Sequence, residues 1–130
     1  MAISVNQIDK EIAKELTLYN DNVTRRINDH AYHTTHKMTE QTKATAPVGK
    51  RRRHYKNNIT FKEVPKKNGS VACLWYVKGS DYRLSHLLNN GHALRDGGRV
   101  AGTNFITKAE QVAVKDFEDG VIKILEQEGF

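Results

Sequence analysis

Between Ser4 and Ala46 the chain places an apolar or aromatic residue every third or fourth position: Val5, Ile8, Ile12, Leu16, Tyr19, Val23 and Ile27. That spacing follows a 3.6-residue turn and predicts one amphipathic helix over 4–46. Ser4 followed by Gln7 is a capping-box pattern, and Ile3 is placed to staple onto Ile8. Past Ile27 the stripe weakens to Ala31, Thr34, Met38 and Thr42. Ala46 precedes Pro47, and a residue before proline resists helical geometry, so the helix should stop there. A helix this long rises about 60 Å, at about 1.5 Å per residue. That exceeds the diameter of a domain built from 130 residues. Either the helix breaks near Asn28 to Thr35, or its far half projects and packs on another subunit.

The rest of the chain offers enough for one domain, 1–130, with a modest core. An apolar fraction of 38% and a mean hydropathy of -0.68 are low for a monomer with a generous core, yet too high for disorder. The longest apolar run, Val71 to Val77, is far short of the ~20 residues that cross a bilayer. No basic-then-apolar leader opens the chain. The single Cys73 has no internal disulfide partner and reads as a small core residue in a reducing compartment.

After Pro47-Val48-Gly49 and a basic run, two strands are expected, at about Lys56 to Val64 and Ser70 to Lys78. Asn68-Gly69 is the turn signal between them. The second strand is rich enough in β-branched and aromatic residues to read as well buried. Ser80 or Asp81 caps a short helix through Asn90, stopped by Gly91. Residues 91–102 form a glycine-rich loop, flexible or tightly turned. Thr107 and Glu110 read as a second capping box, opening a helix to about Gln127. Its predicted inner face holds Val114, Phe117, Val121, Ile124 and Leu125. The fold class is α+β: long N-terminal and C-terminal helices packed on a small antiparallel sheet, with a short helix and Gly-rich loop between.

The net charge of +6 is local. Residues 4–46 balance six cations against six anions. Residues 50–67 set eight cations against Glu63 alone. Lys50, Arg51, Arg52, Arg53 and Lys56 form the densest part, with Tyr55 offering a stacking face. Such a patch suits nucleic acid, an acidic protein surface or plain solvation. Nothing beside it reads bases, so DNA contact there would be independent of sequence.

Candidate chemistry is thin. His30, His33 and His36 fan over about 120° of helix, so adjacent pairs could share a metal, but no Cys or carboxylate stands at ligand spacing beside them. A polar helix face is the plainer reading. His86 and His92 invite a general-base reading, with only Asp81 and Asp96 nearby in sequence. The plainer expectation is that His86 packs on the sheet and His92 fixes the loop. The glycines match neither the P-loop nor the dinucleotide fingerprint. No cofactor, metal or small-molecule substrate is expected.

The stretch Tyr82-Arg83-Leu84-Ser85-His86-Leu87-Leu88-Asn89-Asn90-Gly91-His92-Ala93, then Gly97-Gly98-Arg99-Val100 and Phe105-Ile106, resembles the head–tail joining and tail-completion proteins of tailed bacteriophages, the minor tail components of the neck. The Ala46-Pro47 step, the Arg-containing segment behind it and the closing helix also resemble that family. Two positions depart from it: Asn89, where a glutamate is common, and Asn104, near which a proline is frequent. The first removes any family salt bridge there, and the second leaves the lead-in to the last helix less rigid.

The resemblance implies a structural virion protein and not an enzyme. It would assemble as an oligomeric ring at the head–tail interface, after a period in the host cytoplasm. Its partners would be itself and other neck or tail proteins, with non-specific contact to passing DNA and no membrane. The residues implied in subunit contact are Tyr82, Arg83, His86, Asn90, Gly91, His92, Arg95, Gly97, Gly98 and Arg99. Two alternatives are a sequence-independent DNA-binding module using 50–67 and, more remotely, a metal-dependent nuclease using His86 or His92.

Overall fold

A computed structural model describes residues 5–48 and 55–129. Helix α1 runs unbroken from Val5 to Thr45. A 3₁₀ turn at Tyr55–Asn58 leads into strand β1 (Ile59–Pro65), which pairs antiparallel with β2 (Val71–Val77). A second 3₁₀ turn, Gly79–Leu84, continues into helix α2 (Ser85–Asn90). Strands β3 (Gly91–Ala93) and β4 (Arg99–Ala101) make a second small hairpin, and helix α3 (Phe105–Gln127) closes the chain. This is the expected α+β class. Helix α1 is the shared support, packing against α3 and against both strands of the first hairpin.

The long helix does not break, and the half that stands free is not the far one. The apolar first turns, up to Leu18, are exposed, with Ile8 44%, Ile12 53% and Leu16 61% accessible. From Tyr19 onward the helix packs, through Val23 of the strong stripe and then through the weak one. Its buried face carries Thr34, Thr39 and Thr42. Thr39 donates to the Thr35 carbonyl at 2.9 Å and Thr42 to the Met38 carbonyl at 2.9 Å, so these hydroxyls are satisfied within the helix. Thr42 also accepts a hydrogen bond from Trp75 Nε1 at 3.0 Å, tying α1 to β2. The Ser4 capping box and the Ile3 staple lie outside the described residues.

Four further expectations change. The first strand begins at Ile59, because Tyr55–Asn58 is a 3₁₀ turn that drops Tyr55 into the core. The second strand is buried on one face only: Trp75 and Val77 face α1, while Leu74 and Tyr76 are exposed. Cys73 is half-buried rather than a core residue. On α3 the packed face is Phe105, Ala109, Phe117, Gly120 and Ile124, and Val114 lies exposed beside it.

The main core gathers where the ends of several elements meet: Ala46, Tyr55, Ile59, Val77 and Phe105, with Trp75, Leu84, Leu88 and Ile106 against them. The α1–α3 contact has a different chemistry. The His30 ring lies parallel to Phe117, centroids 5.6 Å apart, over the space a side chain at Gly120 would fill. Its Nε2 meets the Asp116 carbonyl at 3.0 Å. At the end of α3, Arg26 pairs with Glu128 at 2.7 Å, and Tyr19 donates to the Glu128 carbonyl at 2.6 Å.

Candidate functional site

Residues 82–106 fold as one continuous unit from the second 3₁₀ turn to the start of α3. Its organiser is Asn89, which is buried. Its Oδ1 accepts the backbone N–H of Ile106 at 3.0 Å and of Thr107 at 3.1 Å. Its Nδ2 donates to Thr107 Oγ1 at 2.9 Å. Helix α3 begins at Phe105, two residues before the predicted capping box. Its own cap residue Asn104 makes no side-chain cap bond and sits in the left-handed region at φ 55°. Asn89 therefore caps α3 from another helix, supplying the acceptor that the first turn lacks. The backbone agrees: Thr103 N–H reaches the Leu88 carbonyl at 3.1 Å and Asn104 N–H the Asn89 carbonyl at 3.0 Å.

The glycine-rich segment is a hairpin, not a loose loop. Gly91 pairs with Ala101, and Gly91 and Gly102 pass so closely that a Cβ on either would strike the other's backbone. Gly91 also holds φ 84°. Both positions therefore need glycine. Gly97 turns the tip at φ 92°, where Leu94 N–H bonds the Gly98 carbonyl at 2.7 Å.

Around this frame stand the residues singled out from the sequence. Tyr82 and Arg83 are exposed on the 3₁₀ turn, the guanidinium 5.8 Å from the Tyr82 ring centre. His86 is exposed on α2, and among the described residues no hydrogen bond or ring contact ties it to the sheet. Asn90 ends α2, and its carbonyl accepts from the Arg99 guanidinium at 3.1 Å. His92 is half-buried, with one long contact of 3.4 Å from Nδ1 to the Ala93 carbonyl, too weak to fix a loop. Arg95, Gly97 and Gly98 form the exposed tip, and Arg99 opens β4. Lys56 is half-buried on the first 3₁₀ turn, while Lys50, Arg51, Arg52 and Arg53 lie outside the described residues.

Among the described residues no cluster of three His, Cys, Asp or Glu is arranged to hold a metal. His30 is occupied against α3, and His36 packs edge-on to Phe61, centroids 6.0 Å apart. Among the described residues no helix is long and apolar enough to cross a membrane. Asn28 has no role legible in sequence, yet its Oδ1 accepts the Val71 N–H at 3.1 Å and its Nδ2 donates to the Gly69 carbonyl at 3.1 Å. In sequence, Asn89 reads only as a departure from a pattern. Asparagine on a helix carries no periodic signal, so neither role was visible without the partner.

No family model, curated protein or solved structure matches this chain.

Proposed function

We propose that the protein is a structural subunit of a tailed-phage neck, assembling as an oligomeric ring that joins head connector to tail. The observation that carries this reading is the exposed apolar stripe on the first turns of α1. Ile8, Ile12 and Leu16 hold a continuous apolar stripe in water, on a chain whose own core is small. Isolated apolar residues on a surface are ordinary, but a stripe at helical spacing is what a neighbouring subunit covers. The resemblance of 82–106 to the joining proteins supports the same assignment, and that segment is built as a tightly hydrogen-bonded, solvent-facing unit. A ring subunit tolerates a thin core because its neighbours bury the remainder.

The test is electron microscopy of particles from a phage lacking the gene. Filled heads and separate tails, rescued by supplying the protein, are expected. Intact infectious virions would overturn the assignment and leave sequence-independent DNA binding through 50–67, recognisable by affinity that falls steeply with salt.

A further inference from the structure

Strand β2 has one edge with nothing on it among the described residues beyond Asn28. Lys78 N–H bonds the Asn58 carbonyl and Lys66 N–H the Ser70 carbonyl, so the even-numbered residues of this ladder form its hydrogen-bonded pairs. Val71, Cys73 and Trp75 therefore turn their N–H and C=O groups away from β1. Asn28 takes the Val71 N–H. Among the described residues no hydrogen bond reaches the backbone of Cys73 or Trp75.

That edge borders a groove of about 570 Å³ floored by α1 and walled on its far side by α3. Val71, Ala72 and Cys73 all line it, and successive strand residues point to opposite faces, so the strand offers its edge to the groove. Met38, Ala113 and Phe117 make it apolar; Glu110 and Glu118 are the charged residues of its lining. The occupant must then be extended backbone, with an apolar side chain for the groove and cations for the two glutamates.

The β3–β4 hairpin has these properties. Its hydrogen-bonded pairs are 92 with 100 and 94 with 98, so Arg99 and Ala101 turn their backbone groups outward. All three residues of β4 are exposed, as are Leu94 and Arg95. The hairpin carries Arg95 and Arg99 against Asp96 alone. Its base is pinned to α2 through Leu88 and Asn89, which holds it at that end of its own chain.

We propose that the β3–β4 hairpin of one copy adds β4 in parallel to the open edge of β2 in the next, Cys73 bonding the backbone of Arg99 and Ala101, with Val100 set in the groove and Arg95 and Arg99 against Glu110 and Glu118. The two surfaces are unlike, so each copy contacts two others and the contact closes a ring or runs on as a chain. Ring closure rests on the neck reading; the contact itself does not.

Cys73 is the chain's one cysteine, so Val100→Cys supplies a crosslink partner. Oxidation of the full-length variant, alone at high concentration and in assembled particles, should give a ladder of dimers, trimers and higher species. Each link should join Cys73 of one copy to the cysteine introduced by Val100→Cys in the next. A two-fold contact would stop at dimers and overturn the head-to-tail arrangement. Glu110→Arg with Glu118→Arg should abolish the ladder, and adding Arg95→Glu with Arg99→Glu should restore it. Oligomers without this link would overturn the contact and leave the neck reading standing. The link together with normal virions from the gene deletion would keep the contact and sink the neck reading. A variant that folds as the parent does, yet stays monomeric alone and in particles, would overturn the proposal.

Discussion

Asn89 sets the start of α3 with one amide. Its Oδ1 accepts two first-turn N–H groups, and its removal leaves both without their acceptor. Asn89→Ala should cost about 2 kcal/mol in urea unfolding, the range of a lost cap and unsatisfied donors. Asn89→Asp keeps the acceptor and should recover most of that. Tyr55 governs behaviour at the alkaline end. Burial pushes its phenol above the ordinary value of 10.0; the 2.5 Å hydrogen bond with Ser85 pulls the other way, and the Asp81 charge adds to the rise. The folded state holds this proton longer than the unfolded chain. Its contribution is therefore complete below pH 10 and is lost as pH rises through the folded value. Burial likewise raises the Cys73 thiol above 9.0, so alkaline loss begins there. In a Cys73→Ala background, Tyr55→Phe should flatten the stability curve above pH 10. An unchanged slope would place the effect elsewhere.

At the scale of elements, α1 and α3 meet through a ring in a notch. Gly120 lies within α3, where glycine costs about 1 kcal/mol of helix propensity against alanine. Propensity alone would make Gly120→Ala stabilising. The His30 ring occupies the space of the added methyl, so the substitution should instead cost about 1–3 kcal/mol through overpacking. His30→Ala should cost a similar amount by leaving the notch empty. The double variant should be less destabilised than the sum, and thermal melts of the four-member cycle measure that coupling. The existence of the helices and the stop of α1 were legible in sequence because periodicity and Pro47 are local signals; the starts of α2 and α3 were not. Neither was the stretch of α1 that packs. Apolar count favoured 5–27, but the partners lie along 19–46, where Thr39 and Thr42 are buried with their hydroxyls satisfied inside the helix.

For the whole molecule, the neck proposal predicts that the exposed first turns of α1 serve assembly and not stability. Ile12→Glu with Leu16→Glu removes two exposed side chains from the stripe. Unfolding of the isolated chain should shift by less than about 0.5 kcal/mol, as for ordinary surface positions. Joining activity in a complementation assay should be lost. Loss of folding stability with joining intact would reverse the assignment of that face. Read alone, the sequence determined the α+β class, the order of the main elements, the Asn68-Gly69 turn and the stop at Pro47, because each is written in neighbouring residues. Only the tertiary structure decided that a glycine-rich stretch closes into a hairpin over Gly91 and Gly102, that Asn89 caps a helix sixteen residues away, and that beyond Asn28 no described residue covers the edge of β2 beside α3. Those features depend on which surfaces meet, and an unpaired backbone edge or a borrowed cap leaves no mark on local pattern.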